Sequence, residues 1–184
     1  MADDSTERSG PTLGEVIARA ARGDDLDADQ AEFAFREVMG GRATPVQIAA
    51  LLVALRVKRE VPAEVAGGVR ALRAAMIPVD APAGEPIVDT CGTGGGAVTT
   101  FNISTAAALV AAGAGVRIAK HGNRSFTSRC GSADVLAQLG VAIELTPETM
   151  AKVLEQAGIV FMFAPLLHPA MRHVAPVRRE LGVT

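Results

Sequence analysis

Ile87-Val88-Asp89-Thr90-Cys91-Gly92-Thr93-Gly94-Gly95-Gly96, followed closely by Asn102-Ile103-Ser104-Thr105, is the stretch on which the fold turns. Two β-branched residues running into glycines read as a strand ending in a turn, and Ser104 to Ala112 reads as a helix. A strand, glycine loop and helix in this order suit an anion. Glycine lets the backbone approach a ligand and turn its N–H groups toward it, while a helix N-terminus adds unpaired donors and a positive dipole end. The hydroxyls of Ser104 and Thr105 and the amide of Asn102 add donors, each hydrogen bond to a charged group contributing about 1.5–3 kcal/mol. The spacing is neither GxGxxG with its downstream acid nor GxxxxGK[ST], which disfavours the two common nucleotide loops and leaves some other phosphate cradle. Taken alone, the run serves equally well as a plain turn from strand to helix.

Downstream, Val116 to Ala119 reads as a strand, Lys120 to Gly131 as a loop and the segment from Ser132 as a helix. Thr146-Pro147 caps another helix, Ile159 to Phe163 makes a buried strand, and Pro169 to Leu181 is helical with a bend near Pro176. Strands alternating with helices predict a mainly parallel sheet with helical cover. The loop opens with Lys120-His121-Gly122-Asn123-Arg124-Ser125, just past a strand end, where α/β sheets place their ligands. Lys120 and Arg124 are candidates for neutralising a pyrophosphate, Asn123 for orienting a substrate and Gly122 for a tight turn, with His121 a structural or positioning residue. An isolated basic loop of this kind is also compatible with simple solvated charges.

Upstream the texture is helical. Thr12 with Glu15, Asp27 with Gln30, and Thr44-Pro45 with Gln47 are helix starts, and Gly23 and Gly40-Gly41 are stops. Ile48, Leu51, Leu52 and Leu55 recur at helical spacing, and a further helix runs from about Pro62 to Ala75. The expected organisation is a flexible leader over 1–11, an all-helical domain over 12–76, a proline-rich linker over 77–86 and an α/β domain over 87–184. Composition is globular, with 49% hydrophobic and 21% charged residues, but without Trp or Tyr the core must be aliphatic. A net charge of −2 lacks the basic excess of a nucleic-acid binder, so no nucleic-acid partner is expected. The apolar run Ile48 to Leu55 is too short to span a bilayer, so no membrane is expected either. Two cysteines, Cys91 and Cys130, read as reduced thiols, which points to the cytoplasm.

Three linked motifs, DTCGTGGGAVTTFNIST from Asp89, AKHGNRS from Ala119 and GSADVLAQLG from Gly131, make the chain resemble the anthranilate phosphoribosyltransferases. The likeness continues through HPAMRHVAPVRRELGV from His168 and back across the helical region. It implies a small helical domain beside an α/β domain of the nucleoside-phosphorylase type, homodimers through the helical part, and phosphoribosyl transfer to anthranilate in tryptophan biosynthesis. Carried over by position, it implies Gly92, Gly95, Gly96, Thr100, Asn102, Ser104, Thr105, Lys120 and Ser132 as contacts for phosphoribosyl pyrophosphate. Lys120 would be the catalytic cation, Ser104 would also touch Mg2+, and Gly92, Asn123 and Arg178 would hold anthranilate.

Two departures stand out. Gly96 occupies a position where the family often has Asp, which removes one negative charge from the loop. The family is nearly twice as long, and its metal-binding Asp-Glu pair has no counterpart here, since Asp3-Asp4 and Asp24-Asp25 lie in the leader and the helical region. The expectation is therefore an incomplete α/β domain that is inactive alone. The rival readings are a pyrimidine nucleoside phosphorylase-like enzyme and a noncatalytic nucleic-acid-binding relative.

Overall fold

The structure is a computed structural model describing residues 10–81, 84, 86–92, 101–125 and 130–182. It divides into two compact units, one up to Met76 together with the segment from Ala170, the other Ile77–Pro169.

The helical unit begins with α1 (Leu13–Ala21), α2 (Ala28–Met39), α3 (Pro45–Lys58) and α4 (Pro62–Ala75). All three expected capping boxes are made: the side chains of Thr12, Asp27 and Thr44 accept from the N–H groups of Glu15, Gln30 and Gln47, whose side chains answer the cap backbone. Gly23 and Gly41 stop α1 and α2 with positive φ, a conformation that glycine adopts without steric cost. The unit's core is aliphatic, with Val16, Leu26, Val38, Ile48, Leu51 and Leu55 buried. Gly67 permits the tightest approach, since a Cβ there would strike the Ala28 carbonyl and Ala31 of α2.

Glu64 of α4 is buried at 1% exposure and is held there by charge and hydrogen bonds. It accepts from the N–H groups of Leu26 and Val61 at 2.9 and 3.0 Å, pairs with Lys58 Nζ at 2.9 Å, and Lys58 reaches on to Asp25 at 2.7 Å. Lys58 also donates to the carbonyl of Arg59 at 3.1 Å, the one non-glycine with positive φ (72°) among the described residues. A left-handed residue carrying a Cβ is strained, and the surrounding ion pairs hold it in place.

The second unit contains β1 (Ile87–Val88), α5 (Ile103–Gly113), β2 (Arg117–Gly122), α6 (Ser132–Gln138), α7 (Pro147–Ala157), β3 (Ile159–Phe163) and α8 (Ala164–Leu167). The three strands form a parallel sheet in the order β1-β2-β3, with Val88 opposite Ile118 and Lys120 opposite Phe161. Ala133, Leu136, Ile143, Phe161 and Phe163 make one core and Met150, Leu154, Val160 and Leu167 another, so residues alternate along β3 between two packed layers. A helical region with a parallel α/β unit is thus the fold class read from the sequence.

Three details differ from the sequence reading. β2 runs on to Gly122, so Lys120 and His121 are strand residues and not loop residues, because Asp89 accepts the His121 N–H and the ladder to β3 continues to Phe163. At the expected linker, the Ile77 N–H donates to the Leu167 carbonyl at 2.8 Å and Val79 packs on the core of the α/β unit. At the C-terminus a 3-10 turn, Pro169–His173, leads into α9 (Ala175–Leu181), with the bend expected near Pro176. Met171, Val174 and Val177 there pack into the helical core, drawn by its apolar surface. No described helix is long and apolar enough to cross a membrane.

Candidate functional site

Parallel strands end together, and the carboxyl ends of β1 and β2 are tied by one side chain. Asp89 Oδ1 accepts the N–H of Cys91 at 2.9 Å and that of His121 at 3.3 Å. The Thr90 hydroxyl donates to the Ser104 carbonyl at 2.7 Å, which draws the first turn of α5 to the same strand exit. Asn102, Ser104 and Thr105, at the start of α5, are thereby held beside the end of β1. The Asn102 side chain makes no capping hydrogen bond to α5, and the Thr105 hydroxyl is buried with no partner among the described residues. An unsatisfied buried hydroxyl costs about 1–3 kcal/mol, and a ligand oxygen would relieve it.

Lys120 lies near the end of β2 at 3% exposure, and its side chain makes no hydrogen bond or salt bridge among the described residues. Burial disfavours an ammonium unless an anion accompanies it. Lys120 is thus a largely buried side chain and not an exposed loop residue. Arg124, the other cation of the segment, is exposed. Its guanidinium donates to Asp134 Oδ1 at 3.1 Å and stands 5.9 Å from the Phe163 ring centroid, so its charge is already matched.

Gly122 has to be glycine on packing grounds, because a Cβ would strike the Ser132 hydroxyl and the Phe161 ring. That closeness brings the Ser132 hydroxyl to donate to the Asn123 carbonyl at 3.4 Å, with the Ala133 N–H donating to the same oxygen at 3.2 Å. The Asn123 side-chain oxygen accepts from the Arg124 N–H at 2.8 Å, which leaves its NH2 as the group to present to a ligand. Hydrogen bonds from Gly131 and Ser125, with help from Arg124, hold the Asp134 carboxyl below the usual carboxylate range. A hydrogen bond to Asp89, with burial, pushes the Cys91 thiol up, and Lys120 only partly opposes this. That direction disfavours the thiolate form of Cys91.

Residue type alone does not single out His168. It follows β3 and α8, and its ring meets that of His121 edge-on at 5.5 Å between centroids. His121 Nε2 and His168 Nδ1 are both buried without a partner among the described residues, and burial, then His121, lowers the His168 pKa. The position rule that ligands gather at the carboxyl ends of strands was the signal that could have found it. Arg178 sits on α9 in the helical unit, half-buried, lining an apolar groove with Phe35, Leu55, Val69 and Leu72. Gly95, Gly96 and Thr100 lie outside the described residues.

Residues 14–76 match the pattern described as "Glycosyl transferase family, helical bundle domain", and residues 84–184 match "Glycosyl transferase family, a/b domain". The chain belongs to this glycosyl transferase family. Its relatives include proteins named anthranilate phosphoribosyltransferase from Thermomicrobium roseum, 56% identical over 170 residues, and Roseiflexus sp. strain RS-1, 59% identical over 171 residues. These alignments take in 92% and 93% of the chain but 49% and 50% of the relatives, so it spans about half the length of the curated proteins it matches. Among solved structures, anthranilate phosphoribosyltransferase from Thermus thermophilus superposes with a TM-score of 0.85 at 47% identity, covering 92% of the chain and 51% of that protein. The Saccharomyces cerevisiae enzyme in complex with PRPP and Mg gives 0.85 at 29% identity, covering 96% and 53%. The resemblance read from the three motifs is thus supported along both units.

The expected magnesium finds few ligands here. Among the described residues no group of three His, Cys, Asp or Glu is placed to hold a metal, and Asp89 Oδ1 is already engaged by two amides. Magnesium is typically held by one or two carboxylates with substrate phosphates. The described residues do not make such a site by themselves.

Proposed function

We propose that the sheet edge binds phosphoribosyl pyrophosphate and that this chain serves the transfer of its phosphoribosyl group to the amino group of anthranilate, a step of tryptophan biosynthesis. The observation that carries the reading is Lys120, a residue 3% exposed near the end of β2 with no ion pair to a carboxylate among the described residues. A pyrophosphate is the anion that completes it. The first turn of α5, the Asn102 amide and the Ser104 and Thr105 hydroxyls supply further donors, with Gly92, Gly95, Gly96, Thr100 and Ser132 as the remaining contacts.

Aromatic amines are nucleophilic enough to need little help from a base. Rate would come from holding the two reactants together and from cationic and N–H groups stabilising the departing pyrophosphate as positive charge grows on the ribose carbon. Lys120 is the residue for that role. Asn123, Gly92 and Arg178 are assigned to anthranilate, a guanidinium being suited to grip a carboxylate through two hydrogen bonds. Magnesium would arrive with the phosphates, with Ser104 its protein ligand from the described residues. The cytoplasm is the compartment that goes with this reading.

Homodimerisation through the helical unit is supported by a stripe on α3, where Val46, Val53 and Val57 are 77%, 43% and 78% exposed at near-heptad spacing. Sedimentation velocity should show a dimer that Val53→Asp converts to monomer; a monomeric parent would remove this part of the reading.

The anion site is tested by calorimetric titration of the chain with phosphoribosyl pyrophosphate and with anthranilate. Lys120→Ala is expected to weaken the first by at least about tenfold, or about 1.4 kcal/mol, and the second much less. Equal losses for both ligands would count against the assignment.

A further inference from the structure

We propose that Asp134 is a positioning residue that pins the loop from Gly122 to Ser125 onto α6 and thereby aims Asn123 at its ligand. Its Oδ2 accepts from the Gly131 N–H at 2.8 Å, which is ordinary helix capping. Two further bonds go beyond what a cap requires. Oδ2 also accepts from the Ser125 N–H at 3.2 Å and Oδ1 from Arg124 Nη1 at 3.1 Å, reaching nine and ten residues back along the chain.

The carboxylate therefore fastens the far end of the loop to the start of α6. The strand-side end is held by the same turn, because the Asn123 carbonyl accepts from the Ala133 N–H and the Ser132 hydroxyl. Between these anchors Asn123 retains little freedom, and its side-chain oxygen is engaged by the Arg124 N–H, which leaves the NH2 as its group for a ligand. Asp134 also matches the Arg124 charge, keeping that guanidinium beside Phe163 and out of competition with Lys120 for an anion. Removing the carboxylate takes one bond from the Ser125 N–H and one from the Arg124 guanidinium and, through them, loosens the hold on the Asn123 amide. An error of about 1 Å in a group that orients a reactant is enough to cost about a hundredfold in rate, so a loop of this kind needs such a tether.

The inference rests on the assignment of Asn123 to anthranilate, and two readouts on the 184-residue chain separate the two claims. The first is amide hydrogen exchange at Ser125 and Gly131, which needs no ligand. The second is calorimetric titration with anthranilate and with phosphoribosyl pyrophosphate. Thr146→Ala serves as the structural control, since it removes the cap of α7, where the hydroxyl accepts from the Thr149 N–H at 3.3 Å, without touching the loop.

Asp134→Ala is expected to speed exchange at Ser125 and Gly131 by at least about tenfold and to weaken anthranilate binding by about tenfold, with phosphoribosyl pyrophosphate changed by less than about threefold. Asp134→Asn, which retains an oxygen for Gly131 but not the charge for Arg124, should fall between, and Thr146→Ala should leave loop exchange and both affinities as they were. Unchanged exchange at Ser125 in Asp134→Ala, or an anthranilate affinity within about threefold of the parent, overturns the proposal. So do equal losses for both ligands that Thr146→Ala reproduces. A parent chain that binds neither ligand overturns the functional assignment instead, and faster loop exchange in Asp134→Ala would then still uphold the tether.

Discussion

The Thr105 hydroxyl, His121 Nε2 and His168 Nδ1 share one property: each is a buried polar atom without a partner among the described residues. Interiors rarely tolerate this without a reason, and the proposed ligand-binding edge would supply one. His168 also carries a pH signature. Burial lowers its pKa from the ordinary value of 6.5, with the His121 ring facing it adding a smaller effect. The folded chain then refuses a proton that the unfolded chain accepts, so stability is level above this range and falls as pH drops below about 6.5. Melting temperatures between about pH 7.5 and 5.5 should show that fall in the parent and a smaller one in His168→Phe. Identical slopes would mean that His168 is not the group responsible. The motif residues were legible at this scale, but their burial was not: nothing in AKHGNRS distinguishes a Lys120 sunk in a strand from an Arg124 paired with a carboxylate.

Helices of the first 75 residues show why element boundaries near the N-terminus could be read directly. Their starts depend on partners three residues away, Thr12 with Glu15 and Thr44 with Gln47, so the signal is contained in a short window. The turn between α3 and α4 is different, because it relies on Glu64 reaching Leu26, 38 residues earlier in the chain, and on a left-handed Arg59 that no glycine announces. Glu64→Ala should leave the Leu26 and Val61 N–H groups without acceptors. Each buried orphan costs about 1–3 kcal/mol, so chemical denaturation should show a loss of at least about 2 kcal/mol in the helical unit. A loss below about 0.5 kcal/mol, the size of an ordinary surface substitution, would show that Glu64 is not a keystone of this turn. The strand β2 outran its sequence signal for a related reason. Apolar residues stop at Ala119, while the ladder to β3 continues through Lys120, His121 and Gly122 because the backbone there is paired from the neighbouring strand.

Over the whole molecule, the two kinds of architecture were visible in the change of texture after Met76, but the allocation of the last segment was not. Met171, Val174 and Val177 resemble any short apolar stripe, and only the helical core they fill shows where they belong. The α/β unit also leaves apolar surface open: Ile103, Leu109 and Val110 of α5 are 50%, 50% and 74% exposed. Exposed apolar faces of this kind are common at interaction surfaces. The central claim is that the sheet edge around Lys120 and the first turn of α5 receives the pyrophosphate. Amide hydrogen exchange of the 184-residue chain with and without saturating phosphoribosyl pyrophosphate tests it most directly. The account predicts slowed exchange at Gly92, Asn102 and Ser104, and none of comparable size in α1 to α4; protection confined to the helical unit, or no protection at all, would contradict it.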